Sequence, residues 1–152
     1  EELALSIKNK YPEKLVLFGG PYATNVIEKL LTKSNADGIV RGEGETSLLE
    51  LIDNGGDIKS VKGVSYLQDG KVVNNPDAEK IKNLDELPYM AYHLLPPLTM
   101  YHSRSRGVPV APMMMTRGCP HQCIYCSSAS TANSVFGSII RKRINKFFWI
   151  WI

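Results

Sequence analysis

Twice within the first 56 residues a short apolar run breaks into a glycine loop and then into a helix-forming stretch, and this repeat limits the folds open to the chain. Leu15-Val16-Leu17-Phe18 is continuously apolar and stops at Gly19-Gly20-Pro21. Gly38-Ile39-Val40 does the same and stops at Arg41-Gly42-Glu43-Gly44. A strand without polar alternation is one covered on both faces. Asn25-Val26-Ile27-Glu28 resembles a capping box, opening a helix through Leu30 and Leu31. Thr46 to Ile52 reads as a further helix with Leu48, Leu49 and Ile52 on one face, stopped by Asn54-Gly55-Gly56. Glu1 to Lys10 reads as a helix end with Leu3, Ile7 and Tyr11 on one face, closed by Pro12. Helix, strand, loop, helix, strand, loop, helix is the order of a parallel α/β sheet, whose ligands sit at the carboxyl ends of the strands. Two strands alone cannot bury both faces, so the first half of this domain is expected to be missing.

The next stretch differs. Gly63 to Leu67, Asp69-Gly70 and Lys71 to Val73 form a hairpin pattern around a turn-forming Asp-Gly. Residues 74 to 97 hold Pro76, Pro88, Pro96 and Pro97 with little periodicity and read as a connector, in which His93 and the following His102 are ordinary residues. Val108 to Thr116 is a third apolar run, expected as a strand.

Directly after it comes Thr116-Arg117-Gly118-Cys119-Pro120-His121-Gln122-Cys123-Ile124-Tyr125-Cys126. All three cysteines of the chain lie within these residues, spaced C-x3-C-x2-C. An odd, clustered set does not make a framework of intramolecular disulfides. Thiolates favour iron–sulfur clusters and zinc. Cluster irons usually have four cysteine ligands, so three in one loop leave one iron open, as a catalytic metal site requires. Three other accounts compete: zinc held with His121 or an outside ligand, a Cys123/Cys126 redox pair, and cysteines as small buried hydrophobes.

The cysteine spacing, with an aromatic before the last cysteine and Arg-Gly before the first, resembles the signature of the radical S-adenosylmethionine (SAM) superfamily. The resemblance implies that Cys119, Cys123 and Cys126 ligate a [4Fe–4S] cluster and that Tyr125 lies against the adenine of S-adenosylmethionine. It further implies that the amino and carboxylate groups of that molecule bind the fourth iron, and that reductive cleavage yields a 5′-deoxyadenosyl radical. Gly19-Gly20-Pro21-Tyr22-Ala23-Thr24 and Val40-Arg41-Gly42-Glu43-Gly44-Glu45 resemble two loops of the cobalamin-binding domain found in cobalamin-dependent members. Lys62 to Tyr66, Asp69-Gly70 and Leu84 to Pro88 look like that family's connector, so the similarity runs in order from about residue 15 to about residue 130. It implies cobalamin contact by Gly19, Gly20, Gly42, Glu43 and Gly44, where glycine lets backbone approach a flat ligand. Tyr22 stands where members commonly have His, and the Asp-x-His-x-x-Gly cobalt-ligating motif is absent.

The expected architecture is α/β. Residues 1–58 form the C-terminal part of a Rossmann-like cobalamin-binding domain, 59–110 a β-hairpin and connector, and 111–152 the start of a partial (β/α) radical SAM barrel. The expected function is radical chemistry on a small-molecule substrate with an external electron donor, either methyl transfer to an unactivated carbon or another rearrangement. The alternatives are a small zinc-binding structural module and a non-catalytic iron–sulfur protein. Gly42-x-Gly44-x-x-Ser47 lacks the third glycine of a dinucleotide fingerprint, and no phosphate loop is present. A net charge of +3 with no aromatic-interleaved basic stripe gives no case for nucleic acid. No run of about 18 apolar residues could span a bilayer. Without a basic-then-apolar leader after Glu1, a reducing cytoplasm is the expected location. The end, a Lys/Arg cluster and then Phe147-Phe148-Trp149-Ile150-Trp151-Ile152, fits no barrel pattern; it is read as a gene fragment or a reading-frame change near 136–140, with a membrane-surface anchor as the competing reading.

Overall fold

Ile39 and Val40 are adjacent in the chain and serve opposite faces of one sheet, as strand geometry requires. The computed structural model describes residues 1–101, 114–121, 123–126 and 140–143. Most of the run 108–116, together with His102, the small polar stretch 127–138 and the apolar end 147–152, lies outside the described residues. The chain divides into two compact units, Glu1–Ile81 with Gly118–Ile139, and Lys82–Arg117 with Ile140–Ile152.

The first unit runs α1 (Glu2–Lys10), β1 (Leu17–Gly19), α2 (Gly20–Asn25), α3 (Ile27–Lys33), β2 (Gly38–Val40), α4 (Gly44–Asp53), β3 (Val64–Gln68) and β4 (Lys71–Asn74). The sheet order is β1-β2-β3-β4. Strands β1 and β2 are parallel, with Leu17 opposite Gly38 and Gly19 opposite Val40. Strand β3 pairs antiparallel with β2, so the hairpin continues the α/β sheet and gives it four strands. Its turn places Asp69 at φ 52° and Gly70 at φ 73°, the pair of left-handed residues that a two-residue hairpin needs.

One core gathers Ala23, Leu30 and Leu31 around Ile39, with Phe18, Val26, Leu67 and Val72 packed against it. The other joins Val40, Leu51, Val61 and Val64, with Leu17 and Ile58 alongside. Helices α2 and α3 supply the first and α4 the second, so both faces of the central strands are covered. Ile39 is fully buried. Ile39→Ala is expected to lower unfolding free energy by about 3 kcal/mol, read from a urea titration.

Four local expectations fail. The capping box does not form: α2 already starts at Gly20 with Pro21 in its first turn, so Asn25 is helical and its side-chain Nδ2 donates back to the Pro21 carbonyl at 2.7 Å. Val26, without a side-chain cap, precedes α3 instead. In α4 the inward residues are Ser47 and Leu51, while Leu48, Leu49 and Ile52 are exposed. Ser47 is held inward by its hydroxyl, which donates to the Lys62 carbonyl at 2.8 Å. In α1 Ala4 is buried, and Leu3 and Tyr11 are exposed. Strand β1 begins two residues later than the apolar run. The amide of Val16 donates to Asp37 Oδ2 at 2.6 Å, and Lys8 Nζ lies 2.7 Å from Asp37 Oδ1.

In the second unit short 3₁₀ turns span Leu84–Glu86, Tyr92–Leu94 and Leu98–Met100. Asn83 caps the first by accepting from the Asp85 amide at 3.0 Å. Strand β5 (Thr116–Arg117) pairs antiparallel with β6 (Arg141–Lys142). Arg143 donates through its amide to the Met115 carbonyl at 3.0 Å and through Nη2 to the carbonyls of Leu87 and Pro88. Its guanidinium lies 5.4 Å from the centre of the Tyr89 ring. No helix among the described residues is long and apolar enough to cross a membrane.

Candidate functional site

Because β1 and β2 are parallel and in register, the loops that follow them leave the same edge of the sheet. Gly20 and Gly42 both turn there with positive φ, 85° and 70°. Gly19 is the extended residue that precedes α2. These three glycines therefore come to one edge, as expected of a ligand site in this class of sheet. Glu43 and Gly44 follow directly in the second loop. Gly44 opens α4 against Val40. Glu43 is buried, with Oε2 accepting from the Ile81 amide at 2.9 Å.

Two side chains that the sequence did not single out organise this edge. Arg41 donates through Nη1 to Ser65 Oγ at 2.9 Å and through Nη2 to the Asn75 carbonyl, and it pairs with Asp77 at 2.9 Å. Arg41 and Glu43 thus fasten the segment after β4 on both sides of Gly42. Thr24 lies between the loops, donating to the Gly20 carbonyl at 3.0 Å and accepting from the Gly42 amide at 3.2 Å. A glycine pair followed four residues later by threonine was the available signal, since helical threonine bonds back to the i−4 carbonyl. A cavity of about 50 Å³ beside Thr24, Arg41 and Glu43 has room for water only. A wider cleft of about 570 Å³ opens beside Phe18, Gly19, Tyr22, Ala23 and Leu30.

The cysteine loop follows β5 in the chain. Cys119, Cys123 and Cys126 are each partly exposed and none is in a disulfide. The Cys126 amide donates to the Cys123 carbonyl at 3.0 Å, so a single turn carries the last two cysteines at its ends. Ile124 and Tyr125 form the crest of that turn, with Tyr125 88% exposed. Among the described residues no three His, Cys, Asp or Glu side chains are gathered closely enough to hold a metal ion, His121 included. The donor set nevertheless fits an iron–sulfur cluster: three thiols on one short loop, with a turn that already brings two of them to neighbouring positions.

No family model matches the chain. Sequence relatives do. The chain is 40% identical over 126 residues to an uncharacterized methyltransferase of Pyrococcus horikoshii, covering 80% of this chain and 27% of that protein. It is 33% identical over 128 residues to an anaerobic magnesium-protoporphyrin IX monomethyl ester cyclase of Synechocystis, covering 82% of the chain and 25% of the relative. It is 28% identical over 151 residues to the cobalamin-dependent radical SAM methyltransferase TokK of Streptomyces tokunonensis, covering 94% of the chain and 22% of the relative. The chain spans about a quarter of the length of these curated relatives. By these similarities it groups with methyltransferases, a cyclase and a cobalamin-dependent radical SAM enzyme.

Proposed function

We propose that this chain is part of a radical SAM enzyme in which Cys119, Cys123 and Cys126 hold a [4Fe–4S] cluster, S-adenosylmethionine binds the open iron, and cobalamin rests on the glycine loops. The observation that carries this reading is the C-x3-C-x2-C set of thiols on one short loop, none of them disulfide-bonded. When bound, the cluster supplies the electron that cleaves S-adenosylmethionine, and cobalamin supplies a carrier for a methyl group. The chain's own part is binding and orientation. Tyr125 offers an exposed ring for the adenine to stack on. Gly19, Gly20 and Gly42 offer backbone without side chains at the strand ends, and the cleft beside Phe18 and Tyr22 offers an apolar wall. Glu43 contributes by tying its loop to Ile81, and Gly44 by opening α4.

Residues 1–58 are assigned to the cobalamin-type part with the hairpin completing its sheet, the remainder of 59–110 to the connector, and 111–152 to the cluster part. The names of the relatives, methyltransferases and a cyclase, support methyl transfer or a related reaction on a small molecule by the whole protein; the electron for such a reaction would come from an external donor. The test is electron paramagnetic resonance of the anaerobically reconstituted, reduced chain. Its cluster signal is expected to shift on adding S-adenosylmethionine. An unchanged signal from an intact cluster would leave an electron-carrying iron–sulfur protein instead.

A further inference from the structure

Thr24 does more than a helical threonine has to. Its bond to the Gly20 carbonyl, 3.0 Å long, is the ordinary back-bond to residue i−4. Its second bond reaches 18 positions along the chain, to the amide of Gly42 at 3.2 Å. That amide lies just beyond the β ladder: the Arg41 amide is still taken by the Gly63 carbonyl at 2.8 Å, and at Gly42 the backbone turns away with φ 70°. One hydroxyl therefore accepts from one glycine loop and donates to the other. The rest of the second loop is fixed from the other side, by Arg41 on Ser65 and Asn75 and by Glu43 on Ile81. Thr24 joins this fixed loop to the start of α2.

We propose that Thr24 is a positioning residue whose hydroxyl sets the separation of the Gly20 and Gly42 loops at which cobalamin is received. This role rests on the cobalamin reading above. Loss of the hydroxyl leaves the Gly42 amide next to a cavity of about 50 Å³, large enough for a water to take its place. Stability should therefore change little, while the spacing of the loops is no longer set by protein.

The experiment compares the unaltered chain with Thr24→Val, which keeps the shape and removes the hydroxyl, and Thr24→Ser, which keeps the hydroxyl. Hydroxocobalamin affinity is measured by equilibrium dialysis, Gly42 amide exchange by NMR, and Tm by calorimetry. Thr24→Val should bind hydroxocobalamin about tenfold more weakly, the loss expected for one hydrogen bond. Its Gly42 amide should exchange faster and its Tm should stay within about 4 °C of the unaltered chain. Thr24→Ser should restore both affinity and protection. If Thr24→Val binds as the unaltered chain does, the positioning role is overturned and the cobalamin reading stands. If the unaltered chain binds no hydroxocobalamin, the reading falls and the role with it. Should Thr24→Val fail to fold, rapid Gly42 exchange in the unaltered chain overturns the role, and Thr24→Ser binding with full affinity supports it.

Discussion

Cys123→Ala abolishes retention of iron and sulfide after anaerobic reconstitution. The change removes one of three thiolates, and even alterations outside the ligand set cost metal sites about 10–100-fold in affinity. Cys123 also anchors the turn that presents Cys126, through its carbonyl and the Cys126 amide, but that is a backbone bond and survives the substitution. The loss is therefore a loss of a ligand and not of the loop. Cys123 is partly exposed, so the metal-free protein should keep its unfolding free energy within about 0.5 kcal/mol. Iron and sulfide analysis beside a urea titration of the metal-free forms checks both halves. A variant that keeps its cluster would remove Cys123 from the site.

Gly63→Val destabilises the first unit by about 4 kcal/mol, with the change read from urea unfolding. Two costs add. Gly63 sits at φ +77°, where a side chain costs about 1–2 kcal/mol and a β-branched one more. A Cβ there would also lie 2.9 Å from the Ala78 side chain and 2.9 Å from Ser47 Oγ, and overpacking of that kind costs about 1–3 kcal/mol. The neighbours have little room to yield. Ser47 is held by the Lys62 carbonyl, and the Gly63 amide is bonded to the Pro76 carbonyl at 2.7 Å. An effect under about 1 kcal/mol would mean that this approach is looser than described.

What could be read in the sequence was what is encoded locally. The Asp69-Gly70 hairpin needs two left-handed residues in a row and has them. Strand β2 is a short apolar run between glycines and falls where it was expected. The cysteine spacing is a covalent fact, and the family it pointed to is the one named for the relative TokK. What escaped was set by distant partners. The start of β1 depends on Asp37, 21 positions from Val16. The inward face of α4 carries Ser47, whose hydroxyl bonds to the Lys62 carbonyl and which adds nothing to an apolar pattern. The pairing of β3 with β2 joins a hairpin read as connector to the sheet, and no local signal announces it. In the candidate site the glycines were visible, whereas Thr24 and Arg41 act through bonds reaching 18 to 34 positions away.

The central claim is that the loop 119–126 is an iron–sulfur site. Its most direct test is to purify the chain without oxygen, reconstitute it with iron and sulfide in the presence of competing zinc, and measure all three bound elements. Iron and sulfide are expected in near-equal amounts, about four of each per chain, with little zinc. Tight stoichiometric zinc with no retained sulfide would contradict it and make the loop a structural metal module.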